Sequence, residues 1–152
     1  LPAVTTGRAI ALAAGLSGWA PFLTTQAAGL AVAGVGLTDA PAAVRQALGP
    51  PERREASLGL EFWVYEGRGL ELVWDRDRWR LTTIVLRKPG SGSVEAVRVG
   101  DSTRLVRARW GAPARTRQGH RYLDFVRAQW VQTVEVRDEQ VVEITVAVKQ
   151  DP

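Results

Sequence analysis

Residues 44–51 read VRQALGPP, and residues 106–113 read VRARWGAP. Both have the form of a helix that stops. Val44 and Leu48, like Val106 and Trp110, fall on one helical face at i and i+4. Gly49 and Gly111 permit the left-handed backbone that closes a helix, and Pro50, Pro51 and Pro113 forbid its continuation. Upstream, Asp39 is placed as an N-cap with Pro41 in the first turn, and Asp101 or Ser102 caps the second helix. The spacing therefore predicts two short helices, about 39–48 and 101–110.

Each predicted helix is followed by a loop and three strand-like runs. In the first half these are 60–66 (LEFWVYE), 69–75 (GLELVWD) and 79–87 (WRLTTIVLR), with turn residues at Gly67-Arg68-Gly69 and Asp75-Arg76-Asp77-Arg78. In the second they are 120–126, 129–137 and 140–148, with Arg137-Asp138-Glu139 turning the last hairpin. The expected fold class is α+β: tandem helix-plus-three-stranded antiparallel meander repeats (αβββ–αβββ), with helices packed on one face of a six-stranded antiparallel sheet. The expected organisation is 1–33 as a signal peptide or hydrophobic segment, 34–88 as the first repeat, 89–98 (around the KPGSGS stretch) as a linker, and 99–152 as the second repeat. Val142, Ile144, Val146 and Val148 alternate with Glu143, Thr145 and Ala147, which predicts one core face and one wetter face. Trp63 and Tyr65 alternate with Phe62 and Val64, so both faces of that strand are apolar and the second calls for a cover.

A chain of 152 residues with 45% hydrophobic residues can bury a core. The absence of cysteine excludes disulfides, thiolate metal sites and an acylated N-terminal cysteine. The net charge is +4, and all basic residues but Lys88 and Lys149 are Arg. From Arg98 to Arg127 the acidic residues are only Asp101 and Asp124, a distribution that attracts anionic partners. Between Arg8 and Asp39 no residue is charged. This segment reads as a secretory signal peptide with small-residue sites near Ala27-Ala28 and Ala31-Val32-Ala33, as a membrane anchor interrupted by Pro21, or as a buried element of the domain.

Catalytic chemistry has little to stand on. His120 is the only histidine and sits among basic residues, where a solvated histidine is commoner than a base. Glu61, Glu66, Glu71, Asp75 and Asp77 could supply paired carboxylates, but they fall mainly at solvent-side strand and turn positions. Gly67-Arg68-Gly69 and Gly90-Ser91-Gly92 lack the length and the following helix of a phosphate loop. The chain is expected to be non-enzymatic and to use no metal or small-molecule cofactor.

The run GLTDAPAAVRQALGPP, then FWVYEGRGLELVW, then LTTIVL, resembles the small outer-membrane lipoprotein A family (SmpA/OmlA) and the related tandem-repeat β-lactamase inhibitor proteins. Gly36, Leu37, Thr38, Val44, Leu48, Gly49, Pro51, Trp63 and Tyr65 match that pattern, and 99–148 match it more loosely through Trp110, Gly111 and Pro113. Leu123 and Phe125 stand there where the pattern has Trp and Tyr. The resemblance implies a periplasmic or secreted module that binds another protein, in envelope assembly or as an inhibitor. The chain has neither the cysteine of the lipoprotein branch nor the disulfides of the inhibitor branch.

Two partner classes follow. For a protein partner the candidate contacts are Trp63, Tyr65, Trp74, Trp79, Tyr122 and Trp130, because Trp and Tyr dominate interface hot spots. For an anionic polymer or membrane surface they are Arg104, Arg107, Arg109, Arg115, Arg117 and Arg121.

Overall fold

The computed structural model describes residues 30–150. The signal-peptide, anchor and buried-element readings of the N-terminal segment fall almost entirely on residues 1–29, outside the described residues. The described elements are β1 (Ala31–Val32), β2 (Val35–Gly36), α1 (Pro41–Leu48), β3 (Arg53–Ser57), β4 (Leu60–Tyr65), β5 (Leu70–Asp75), β6 (Arg80–Leu86), α2 (Thr103–Trp110), β7 (Arg115–Arg117), β8 (Tyr122–Val126), β9 (Trp130–Arg137) and β10 (Gln140–Val148). A single 3-10 turn, Glu66–Arg68, joins β4 to β5.

Strands β3 to β10 form one antiparallel sheet in the order β3-β4-β5-β6-β10-β9-β8-β7, and β1 pairs with β2 in a separate hairpin. The expected fold class is thus corrected. The described residues are mostly β, with an eight-stranded sheet, a two-stranded sheet and two helices in place of αβββ repeats on a six-stranded sheet. The two unforeseen strands of the large sheet are its edges. Every residue of β3 (RREAS) and β7 (RTR) is exposed, so neither carries the apolar alternation by which a strand is read from sequence. Their charges also suit strand edges, which must discourage pairing with other chains.

Register divides the sheet into two faces, since residues directly opposite each other project to the same side. One face gathers Trp63, Leu72, Ile84, Val146 and Gln132, each cross-paired with the next. All five are fully buried. Two irregularities keep this face continuous: Thr82 is the extra residue where Leu81 opposes Trp74, and Val142 is the extra residue in β10. Leu81 and Ile84 therefore both turn inward, as do Val141 and Ile144. The bulge corrects the alternation expected from Val142, which is only half-buried while Val141 is buried in its stead.

The helices lie against this inner face. Val44 and Val106 are fully buried, and Trp110 meets Phe125 of β8 edge-on, with ring centroids 5.1 Å apart. The α1 terminus is tied down by the Tyr65 hydroxyl, which donates to Gly49 O at 2.9 Å. Both helices end on a glycine at positive φ, Gly49 at 81° and Gly111 at 86°. Their ψ values, −173° and −157°, place them in an extended positive-φ region almost reserved for glycine, away from the helical left-handed well. Ser102 caps α2 by accepting from Leu105 N at 3.1 Å, whereas Ala40 occupies the α1 cap position without a side-chain bond. Asp39 instead accepts from Gly36 N at 2.8 Å and so closes the turn after β2.

Between the sheet halves, Val94 and Val97 are fully buried and bridge each other, and Trp110 Nε1 donates to Val94 O at 3.2 Å. The segment 89–98 thereby joins the inner layer.

Candidate functional site

The face opposite the helices is the first candidate surface. A row of Phe62, Val73, Thr83, Ala147, Val131 and Val126 crosses six strands, each residue opposite the next. Six strands at the usual spacing of about 4.8 Å extend it over roughly 24 Å. Val126, at its end, is 48% exposed.

Ion pairs border this row. Arg87 reaches Glu71 at 2.9 Å and Glu143 at 3.1 Å. Arg121 and Arg137 share Glu135, at 2.6 and 3.1 Å. Arg115 and Arg117 share Asp124, each at 2.9 Å, and Thr133 Oγ1 donates to the same carboxylate at 2.8 Å. The hydrogen bond from Arg117, aided by Thr133 and Arg115, holds the Asp124 carboxyl down at about 2 against the opposing effect of burial. Glu135 is lowered in the same way, chiefly by Arg121. Tyr122 lies between the Arg117 and Arg121 guanidiniums, 5.0 and 5.4 Å from its ring centre, beside a shallow depression of about 150 Å³.

The six aromatics expected to contact a partner do not come together. Trp63 and Trp74 are fully buried and pack on each other at 4.7 Å, and Tyr65 is 3% exposed. They belong to the core, where aromatic pairing adds about 1 kcal/mol beyond burial. Trp79 is 38% exposed in the β5–β6 turn, Tyr122 lies on the outer face, and Trp130 is half-buried at the start of β9 with its Nε1 bonded to Gln132.

Nor do the six arginines share one surface. Arg104, Arg107 and Arg109 are exposed on α2, on the helix-bearing side. Arg115 and Arg117 belong to the outer-face rungs through Asp124, as does Arg121 through Glu135. Half of the run thus spends its charge on internal carboxylates, a fact that sequence order hides because Asp124 and Glu135 come into reach only through strand register.

A second grouping went unnoticed in the sequence. Arg45 of α1 and Arg54 of β3 both lie over the Trp63 ring, 5.0 and 5.3 Å from its centre. With Pro41 and Trp79 they line a cleft of about 280 Å³. No local sequence signal links these residues; the fold assembles them from three elements and a turn. Among the described residues there is no group of three or more His, Cys, Asp or Glu side chains able to hold a metal, and no helix long and apolar enough to cross a membrane.

No protein-family model matches the sequence, and no curated protein does. Solved structures do share the fold. An extracellular protein containing an SCP domain from Bacillus anthracis str. Ames superposes with a TM-score of 0.52 at 12% identity, over 74% of this chain and 44% of that one. A cysteine-rich secretory protein from Staphylococcus aureus subsp. aureus Mu50 gives 0.57 at 9% identity, over 74% and 43%. The chain spans less than half the length of either neighbour, and at these identities the likeness is one of fold. It nonetheless overturns the resemblance to the SmpA/OmlA lipoproteins and tandem-repeat β-lactamase inhibitors. The motif behind that resemblance consists of a helix stop and an aromatic strand, and Gly49, Pro51, Trp63 and Tyr65 serve packing needs that a different fold meets equally well.

Proposed function

We infer that the protein is a non-enzymatic, extracytoplasmic module that binds another protein through the outer face of its large sheet. The observation that carries this reading is the largely apolar row from Phe62 to Val126, in which Val73 is buried and the other residues are half-buried or exposed, bordered by ion-pair rungs on the side away from the helices. An apolar centre with a polar border is the usual anatomy of a protein contact. Because five arginines meet four carboxylates in the rungs, this face offers a partner shape and apolar area more than net charge. The extracellular and secretory descriptions of the two structural neighbours support the extracytoplasmic part of the reading.

The test is affinity capture from an extracellular or envelope fraction with the wild type and with a Val126→Asp, Val131→Asp variant. A saturable protein partner retained by the wild type and lost by a variant of unchanged circular dichroism supports the reading. Equal capture by both, or recovery of the native protein from the cytosol alone, overturns it.

Binding of an anionic polymer is the second reading. Its support narrows to the exposed arginines of α2, of which Arg104 and Arg107 share a helix face while Arg109 donates to Ala96 O. It predicts binding that falls steeply with salt and survives the outer-face substitutions.

A further inference from the structure

The cleft beside Trp63 carries an unusual balance of charge and hydrogen bonding. Arg54 Nε donates to Glu61 at 2.9 Å, and this uses one oxygen of that carboxylate. The other oxygen, Glu61 Oε2, is buried with no hydrogen-bond partner, on a side chain only 9% exposed. Trp63 Nε1 and Trp74 Nε1 are likewise buried and unpaired. Buried polar atoms are ordinarily satisfied, and each one left open is destabilising. Glu61 stands directly opposite Trp74 in the β4–β5 pair, two residues from Trp63, so the three open atoms share one corner of the inner face.

Arg45 forms no ion pair among the described residues, so two guanidiniums and one carboxylate leave this corner with one excess positive charge. The opening is flanked by Trp79, a large exposed apolar side chain held at φ 49°. Such a backbone is unfavourable for a bulky residue and places the indole at the cleft's rim at a cost in stability.

We propose that this cleft binds a small organic monocarboxylate with an apolar or aromatic body, such as an N-acylated aromatic amino acid. Arg45 meets the carboxylate, and its planar fork suits that geometry. The body lies against Trp79 and Pro41, which line the cleft together with Arg54 and Trp63. A dianion fits poorly, because one uncompensated guanidinium cannot balance it. About 280 Å³ is below the usual range for drug-sized ligands and matches a single residue or a fragment of that size. The cleft is on the helix-bearing side of the sheet, so this site and the outer-face contact stand or fall separately.

The experiment follows the indole N–H resonances of the intact protein by two-dimensional NMR during titration with N-acetylphenylalanine, N-acetylphenylalaninamide and inorganic phosphate. Trp79 is assigned with Trp79→Phe. The expected result is a saturable shift of Trp79 with the free acid, at least tenfold weaker binding of the amide and of phosphate, and at least tenfold weaker binding of the acid to Arg45→Gln. Absence of a saturable shift, equal binding of acid and amide, equal binding of phosphate, or an unchanged Arg45→Gln affinity each overturns the proposal. The comparison of acid with amide uses the wild type alone, so it holds even if Arg45→Gln disturbs the fold.

Discussion

Arg117 and Asp124 meet across the β7–β8 pair, with Nε and Nη2 of the guanidinium each 2.9 Å from a carboxylate oxygen. This contact and those from Arg115 and Thr133 hold a short, fully exposed edge strand to the sheet through a carboxylate that is 3% exposed. The Asp124 carboxyl is thereby lowered from 3.8 to about 2. A depressed folded-state value means that the unfolded chain binds the proton more readily. The contribution is therefore complete above about pH 4 and is lost as pH falls toward 2. Asp124→Asn is expected to cost about 2 kcal/mol at pH 7 and almost nothing at pH 2, as read from urea unfolding of both proteins at the two pH values.

Trp110 serves two purposes, ring packing on Phe125 and a hydrogen bond to the segment 94–97. Trp110→Ala should cost about 3–5 kcal/mol, the usual range for a buried aromatic. Trp110→Phe keeps most of the ring contact but drops the bond to Val94 O, at about 1 kcal/mol. The amides of Val94 and Val97, each bonded to the other's carbonyl at 2.9 Å, should then exchange faster with solvent than those of β5. Unchanged exchange at both positions would show that the indole N–H does not secure the segment.

Gly49 and Gly111 have open space where a Cβ would go, so substitution there isolates backbone strain from steric collision. Gly49→Ala and Gly111→Ala should each cost about 1–3 kcal/mol by thermal or denaturant unfolding. A cost below about 0.5 kcal/mol at both would mean that the helix ends relax into another conformation.

The two helix starts should respond in opposite directions. Ser102→Ala removes the bond to Leu105 N and should cost about 1 kcal/mol. Ala40→Ser supplies a missing cap at an exposed position and should stabilise by about 0.5–1 kcal/mol. The same unfolding measurement reads both, and a destabilising Ala40→Ser would refute the cap geometry.

The helix stops at Gly49 and Gly111 and the strands β4, β5, β6, β8, β9 and β10 were legible because each carries its signal within a few neighbouring residues. The edge strands were not. RREAS and RTR are held by backbone pairing and by cross-strand ion pairs, neither of which imposes a periodic apolar pattern. The bulges at Thr82 and Val142 were hidden for a related reason, since a single extra residue reverses the alternation beyond it.

The candidate sites were still less visible. The aromatics read as partner contacts separate in the fold, because burial takes Trp63, Tyr65 and Trp74 into the core and leaves Trp79 at a cleft rim. Likewise the Arg-rich run is real as composition, but register pairs Arg115 and Arg117 with Asp124 and Arg121 with Glu135. By itself the sequence determined where helices stop, which strands can be buried and which residue types are available for chemistry, because these depend on backbone preference and local periodicity. Which charges remain free, which aromatics reach solvent and which face stays open were decided by the tertiary structure alone, because burial and ion pairing depend on distances between residues far apart in the chain.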